Sequence, residues 1–241
     1  MTAKSWSELL LARADAVGGR AIAEMYQDPF WDERFGPRGR RFAEEDGRHH
    51  VSYLAAALDA NDAGVLTKYA TWLRNLLVSR GMCTRHVEEN YRRLGHAIEA
   101  EQLPGAREAN ALLEVAITSL LYPGGPARQL QDASPRLAAH LAASWLEAYP
   151  EWGTELRARF EPDLAQHLSY LADAIACGRP ELFAGYAKFI AAFSERRGLK
   201  PGAFAGLLRE LVPALAGIDP ALEASAQQAL VQALIALGSG A

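Results

Sequence analysis

The segment His50–Ala57 reads HVSYLAAA, and 117 residues later His167–Ala174 reads HLSYLADA. With this offset, residues 50–81 and 167–198 align without a gap, and ten of the 32 aligned pairs are identical. The identical pairs outside the opening phrase are Tyr69 and Tyr186, Ala70 and Ala187, Arg80 and Arg197, and Gly81 and Gly198. We interpret this match as an internal duplication of one structural unit.

The composition predicts an all-α fold. Ala and Leu dominate the 241 residues, β-branched residues are sparse, and Gly and Pro separate the apolar-periodic segments. Proline in the first turn and glycine after the last turn mark several helix ends. The predicted helices are Trp6–Tyr26, Arg41–Ala60, Ala63–Ser79, Arg85–Glu101, Ala106–Leu121, Pro135–Tyr149, Thr154–Cys177, Pro180–Arg196, Pro201–Ala216 and Pro220–Leu237.

Each copy of the repeat holds about five of these helices, and the Pro123–Pro126 turn (PGGP) lies between the copies. We therefore predict two units, residues 1–125 and 126–241, that pack as a pseudo-symmetric pair like a fused homodimer. A solenoid is less suitable, because solenoids are built from three or more units of 20–50 residues.

The bulk properties narrow the class of protein. A net charge of −4 and a pI near 5.9 argue against non-specific binding to nucleic acid or to an anionic membrane. No segment approaches the ~20 apolar residues of a membrane span, and the first residues lack the apolar core and cleavage site of a signal peptide. Two cysteines do not suggest a disulfide framework, so we expect a cytoplasmic protein.

The repeated polar residues form the candidate site. Asp46, His50 and Tyr53 share one stripe of a predicted helix, since they are spaced at i, i+4 and i+7. An Asp four residues before a His permits a carboxylate–imidazole hydrogen bond. The second copy repeats the stripe, and the next helix of each copy adds an aromatic face. The candidate site residues are thus Asp46, His50, Tyr53, Tyr69, Trp72, Asp163, His167, Tyr170 and Tyr186.

Two interpretations of this cluster stay open. A His and a Tyr on an apolar stripe commonly serve as hydrogen-bonded polar members of a core. Alternatively, the cluster lines a pocket for a linear tetrapyrrole. The carboxylate would then accept hydrogen bonds from the pyrrole N–H groups, and the aromatic rings would stack on the faces of the chromophore. A haem with His50 or His167 as axial ligand is the related possibility.

The sequence matches the patterns of metal sites and of covalent catalysis less well. Residues 44–50, EEDGRHH, hold three carboxylates and two histidines, but the corresponding text of the second copy is EPDLAQH. A di-iron bundle expects Glu-x-x-His on two helices with glutamates opposite, so we predict no metal ligands and keep a metal-dependent redox protein as an alternative. No nucleophile elbow or phosphate-binding glycine loop is present, and we expect a non-catalytic protein.

The first copy resembles the globin-like helical sensory modules of bacterial signalling proteins, such as those that precede cobalamin-binding domains and those of stressosome regulators. The resemblance is carried by Trp31, Arg34, Phe35, Gly36, Gly39, Arg40, His50, Tyr53, Leu54, Tyr69, Trp72, Leu73, Arg80 and Gly81. It covers about 110 residues well. The second copy keeps fewer of these residues, among them Trp152, Phe160, His167, Tyr170, Leu171, Tyr186, Arg197 and Gly198, and lacks the Arg-Phe-Gly segment.

The resemblance implies two tandem globin-like units and a sensor or binding protein that holds a bilin, a haem or no cofactor. It also implies a protein partner for signal output, and a chain that is a monomeric pseudo-dimer or a homodimer. The first copy is the better candidate for a functional site. The alternative is a cofactor-free helical protein-interaction module.

Overall fold

The computed structural model describes residues 5–149 and 152–238 and places eleven α-helices in these two ranges. They are α1 (Trp6–Ala12), α2 (Ala14–Met25), α3 (Pro29–Ala60), α4 (Ala63–Ser79), α5 (Thr84–Ala100), α6 (Ala106–Ser119), α7 (Gly125–Ala148), α8 (Thr154–Cys177), α9 (Pro180–Glu195), α10 (Ala203–Ala216) and α11 (Pro220–Ala236). No strand occurs within the described ranges. The predicted all-α fold is confirmed.

The chain divides into two compact units. Unit 1 comprises Met1–Leu76 and His86–Leu120, and unit 2 comprises Leu77–Arg85 and Leu121–Ala241. The units therefore do not follow sequence order throughout, because Leu77–Arg85 lies in the first copy of the repeat and belongs to unit 2. We call Leu77–Arg85 the turn segment, since it joins the end of α4 to the start of α5.

The helix ends recur with the offset of the sequence repeat. Ala60 ends α3 and Cys177 ends α8, 117 residues apart, and both helices close on a residue in the left-handed conformation. These C-terminal residues are Asn61, with φ 48°, and Gly178, with φ 59°. The following helices begin at Ala63 and Pro180 with the same offset.

Helix α3 begins earlier than predicted and contains a kink. The sequence predicts a start at Arg41, but the helix begins at Pro29 and passes through Gly36, whose φ of 62° and ψ of −170° are accessible only to glycine. Gly153, 117 residues after Gly36, is the residue that precedes α8. The part of α3 after the kink thus corresponds to α8.

Two other predicted helix bounds are wrong. The single helix Trp6–Tyr26 is two helices that break at Arg13, where φ is −111° and ψ is 10°. A helix start at Pro135 is also wrong, since α7 continues through that proline. Pro135 is exposed, so water can solvate the carbonyl that its missing N–H leaves without a helical hydrogen bond.

In unit 1, α2 crosses α3 at a point where both helices carry a buried glycine. A Cβ atom added to Gly18 would lie 2.8 Å from the carbonyl carbon of Gly47, well inside van der Waals contact. The two backbones can approach this closely only because neither residue has a side chain. Helix α1 also packs on α3, and Leu10, Val17 and Leu54 are buried in the core of this unit.

In unit 2, α7 packs along α8, and α11 packs on both α9 and α10. The rings of Trp145 and Trp152 both contact Phe160, at centroid distances of 5.9 and 4.9 Å. This aromatic cluster joins the end of α7 to the beginning of α8. The helices that carry the candidate site residues are therefore held by apolar packing inside each unit.

The glycine crossing gives a direct test of the fold of unit 1. We expect Gly18→Ala to lower the free energy of unfolding by about 1–3 kcal/mol, because the new methyl group must displace the backbone of α3. Gly19→Ala is the matched control, since a Cβ atom there meets nothing within 4 Å and alanine favours the helix. Denaturant unfolding measures the free energy of unfolding of each variant. Equal values for the two variants would contradict the close crossing.

Candidate functional site

The candidate site of unit 1 is built around a buried hydrogen bond between α3 and α4. His50 on α3 is 3% exposed, and its Nδ1 lies 2.8 Å from the hydroxyl oxygen of Tyr69 on α4, which is also buried. The ring of Tyr91 on α5 meets the His50 ring edge-on, with centroids 5.4 Å apart. The imidazole is thus enclosed by side chains of three helices.

Unit 2 contains the same arrangement on α8 and α9. Nδ1 of His167 lies 2.6 Å from the hydroxyl oxygen of Tyr186, and both residues are buried. Here the edge-on neighbour is Phe204, with ring centroids 5.0 Å apart. The repeated sequence therefore folds into a repeated histidine–tyrosine pair, one in each unit.

A second tyrosine covers the first in each unit. The rings of Tyr53 and Tyr69 stack with centroids 3.8 Å apart and planes 10° apart. The rings of Tyr170 and Tyr186 stack at 3.5 Å and 12°. In unit 1 the stack continues to Trp72, whose ring lies 5.9 Å from that of Tyr69 at an angle of 29°.

The two aspartates of the candidate set lie nearer to the surface. Asp163 is partly exposed and pairs with Arg159, one turn earlier on α8, at 3.9 Å. Asp46 is half-buried, and its charge is one of the causes that raise the pKa of Tyr69. The spacing of Asp and His permits a carboxylate–imidazole hydrogen bond, but in the structure Nδ1 of each histidine is hydrogen-bonded to a tyrosine hydroxyl.

Burial keeps both pairs neutral at neutral pH. Desolvation lowers the pKa of His50 to about 3, with a smaller contribution from the charge of His49, and desolvation also lowers the pKa of His167 to about 3. Burial is likewise the main cause that raises the pKa of Tyr69. An uncharged imidazole that is enclosed and hydrogen-bonded to an uncharged phenol is suited to holding two helices together.

The residues Tyr91 and Phe204 were missed by the sequence analysis. Tyr91 aligns with Leu208 under the 117-residue offset, so the repeat does not relate it to Phe204. Each ring reaches its histidine from the helix that follows the repeated segment. Only the packing of that third helix reveals them.

The two units differ in what covers the tyrosine stack. In unit 1, Tyr53 is 42% exposed and Trp72 is 58% exposed. In unit 2, Tyr170 is only 3% exposed, and its hydroxyl donates to the carbonyl of Gly81 in the turn segment at 3.1 Å. The same face is therefore open in unit 1 and covered by the turn segment in unit 2.

A buried carboxylate of unit 2 holds the turn segment in place. Asp173 on α8 accepts hydrogen bonds from the backbone N–H and the hydroxyl of Thr84, at 2.7 and 2.6 Å, and from the hydroxyl of Tyr122 at 2.7 Å. Ser169 accepts the next N–H, that of Arg85, at 3.1 Å. These bonds satisfy the first amides of α5, which are the groups that a helix cannot satisfy itself.

Asp173 was also missed by the sequence analysis, because its counterpart in the first copy is Ala56. A search for repeated polar residues passes over it. The available signal is the carboxylate itself, which stands within the apolar stripe of HLSYLADA. A buried charge of this kind requires several hydrogen-bond donors around it.

A groove of about 500 Å³ lies elsewhere in unit 2 and contains none of the predicted site residues. It is lined by Ala133, Arg136, Leu137, His140, Ala214, Gly217 and Ile218. Within residues 5–149 and 152–238, no group of three or more His, Cys, Asp or Glu side chains is placed to hold a metal ion. Among the described helices, none combines the length and apolar character that crossing a membrane requires.

Comparison with protein-family models, with curated proteins and with solved structures finds no match for this chain. The likeness to globin-like sensory modules therefore stays a prediction from the sequence.

The neutral state of the buried histidines predicts a dependence of stability on pH. Between pH 6.5 and 3 the unfolded chain binds a proton at His50 that the folded chain does not, so the free energy of unfolding falls as the pH drops through this window. Above pH 6.5 the residue contributes no pH dependence. The loss amounts to about 2 kcal/mol for each buried histidine between pH 6.5 and 5.

Denaturant unfolding at pH 7 and pH 5 measures this effect. Between pH 7 and pH 5, we expect the free energy of unfolding to fall by about 2 kcal/mol less in His50→Gln than in the unchanged protein. His96→Gln is the control, because His96 is exposed and belongs to neither pair. An equal loss in His50→Gln and the unchanged protein would show that His50 takes up its proton in the folded state.

Proposed function

We propose that this chain is a non-catalytic helical interaction module that binds a protein partner through an aromatic face of unit 1. This face consists of Tyr53 and Trp72 with Tyr69 between them, and we call it the open face. The observation that carries the proposal is the exposure of Tyr53 and Trp72, whose counterparts Tyr170 and Phe189 are buried and half-buried.

Large aromatic side chains are the residues most often responsible for binding energy in protein interfaces. Tyr and Trp offer a wide apolar surface together with a polar atom, and they lose little conformational entropy on binding. On the open face they are ordered before binding, since Tyr53 stacks on Tyr69 and Trp72 continues the stack. A preordered aromatic surface binds more tightly than a flexible one of equal area.

The buried pair below the open face supports this function rather than a chemical one. The hydrogen bond between His50 and Tyr69 fixes the distance between α3 and α4, and these two helices carry the exposed rings. Neither an accessible base nor a charged nucleophile is present in this pair, because both members are buried and neutral. The pair acts as the support of a binding surface.

The closed packing favours the cofactor-free alternative over a tetrapyrrole site. A tetrapyrrole in contact with His50 must displace side chains that now pack against the imidazole, such as Tyr69 and Tyr91. It must also expose an imidazole that is now enclosed. A chromophore that binds His50 therefore loses the packing and the hydrogen bond of the buried pair before it makes its own contacts.

Absorption spectroscopy separates these alternatives. We expect that adding haem or biliverdin to the purified protein gives no new band that saturates at one chromophore per chain. A saturating band that His50→Ala abolishes and the exposed-site control His96→Ala retains would establish the tetrapyrrole function instead. The control matters because free imidazoles on a surface bind haem weakly.

Site-specific photo-crosslinking tests the interaction module directly. We expect a photoreactive phenylalanine analogue in place of Trp72 to form a covalent adduct with a protein in cells of the source organism. The same analogue in place of Val115, an exposed apolar residue on α6 of the same unit, is the matched control. No adduct at position 72, or equal adducts at both positions, would contradict the proposal.

A further inference from the structure

We propose that the groove between α7 and the end of α10 is a binding site for a small amphiphilic anion, a carboxylate that carries a short apolar chain. The groove lies within unit 2, has a volume of about 500 Å³ and shares no residue with the open face. Binding of a ligand in the groove is therefore independent of a protein partner on the open face.

Two hydrogen bonds join the walls of the groove at its ends. At one end, Gln129 of α7 donates to the carboxylate of Asp219, the residue that precedes α11, at 3.0 Å. At the other end, the indole N–H of Trp145 on α7 donates to the carboxylate of Glu210 on α10. The two helices therefore run antiparallel, and the groove lies between these two bonds.

The groove is open because several of its lining residues are small. Ala133 lies on α7 and Ala214 on α10, and Gly217 follows the last turn of α10 without a side chain. Leu137 and Ile218 make the rest of the walls apolar. A volume of about 500 Å³ is within the range of small-molecule sites, and walls of this kind favour the burial of a hydrocarbon chain.

Two nitrogen-bearing side chains complete the lining. Arg136 and His140 lie one turn apart on α7 and are both exposed. Within residues 5–149 and 152–238, neither side chain has a hydrogen-bond or ion-pair partner. A guanidinium is positively charged at any physiological pH, and an imidazole N–H can donate a hydrogen bond beside it. The two side chains thus offer several donors to one anion.

The carboxylates that neighbour the lining residues in sequence have other partners. Asp132 pairs with Arg128 at 2.8 Å, and Glu210 and Asp219 accept the two hydrogen bonds at the ends of the groove. None of them forms an ion pair with Arg136. An anion from solution is therefore the available partner for this guanidinium.

Unit 1 has an internal carboxylate at the corresponding place. Glu101 aligns with Ile218 under the 117-residue offset, and α5 and α10 end within one residue of each other in this alignment. The Glu101 carboxylate lies 3.2 Å from Arg20 of α2 and 3.6 Å from Arg13. In unit 2 the acid is replaced by Ile218, whereas α7 presents Arg136 to the groove. A bound carboxylate would supply the charge that Glu101 supplies in unit 1.

The chemistry of the lining selects the class of ligand. A guanidinium matches the two oxygens of a carboxylate with paired hydrogen bonds. A sugar or a nucleoside is less suitable, because Arg136 and His140 are the only polar side chains of the lining and its hydroxyl groups would stay unpaired. An inorganic anion leaves the apolar walls uncovered. A carboxylate with an apolar chain uses both parts of the groove.

Calorimetric titration of the full chain with octanoate tests the site. We expect saturable binding of one octanoate per chain, weakened about tenfold or more in Arg136→Gln. Arg209→Gln is the matched control, because Arg209 is exposed on α10 and does not line the groove. Absence of saturable binding, or equal binding to the two variants, would overturn the proposal.

Two smaller probes separate the contributions of the charge and of the chain. Acetate keeps the carboxylate and lacks the chain, whereas 1-octanol keeps the chain and lacks the charge. We expect each to bind about tenfold or more weakly than octanoate. Acetate or 1-octanol that binds as tightly as octanoate would contradict an amphiphilic ligand, because one of the two parts would then contribute nothing.

An internal carboxylate provides the sharpest test. Ile218→Glu places in the groove the group that Glu101 provides in unit 1, and we expect it to abolish octanoate binding because the new carboxylate competes for Arg136. Ile235→Glu is the matched control and keeps the binding, since Ile235 is 63% exposed on α11 and does not line the groove.

Circular dichroism checks that both glutamate variants keep their helical content. If Ile218→Glu loses helical content, Ala214→Leu serves as a second variant, since the larger side chain fills the groove and is also expected to abolish binding. Octanoate binding that is unchanged in the folded groove variant would place the ligand elsewhere on the chain and overturn the proposal.

Discussion

The buried hydrogen bond between a histidine and a tyrosine is the constraint on which each unit depends. An imidazole and a phenol removed from water lose their solvent hydrogen bonds, and a partner left without the other is costly. Each pair, His50 with Tyr69 and His167 with Tyr186, therefore restricts the relative position of its two helices. That position also stacks the second tyrosine, so the core and the surface above it are determined together.

The two units differ because only one of the two tyrosine faces is covered. In unit 2, Asp173 binds the first amide of α5 and so fixes the turn segment over Tyr170. In unit 1, Ala56 occupies the corresponding position and the tyrosine stack stays exposed. The buried Asp173 carboxylate thus helps to place the second tyrosine of unit 2 in the interior. The same arrangement of rings is part of the interior in one unit and leaves Tyr53 exposed in the other.

The helices were largely predictable from local signals. Pro180 and Pro220 begin helices as predicted, since proline needs no hydrogen-bond acceptor in the first turn, and Thr154–Cys177 has the predicted bounds. The predictions failed where local and tertiary preferences differ. Pro135 lies inside a helix because its side of α7 faces water, and at Gly36 the backbone leaves helical geometry between two helical stretches of α3. Sequence periodicity cannot separate a kink from an end.

The sequence alone determined the repeated members of the two clusters, which are one histidine and two tyrosines in each unit. The spacing from histidine to tyrosine is the same in both copies, and helical periodicity places each histidine above the tyrosine that follows it by three residues. The partner of each imidazole and the exposure of each stack were decided only by the tertiary structure. Tyr53 and Tyr170 have almost identical neighbours in sequence, yet one is open and the other buried. The difference arises from a distant segment held by Asp173, because burial is a property of all the chain that surrounds a side chain and not of its neighbours in sequence.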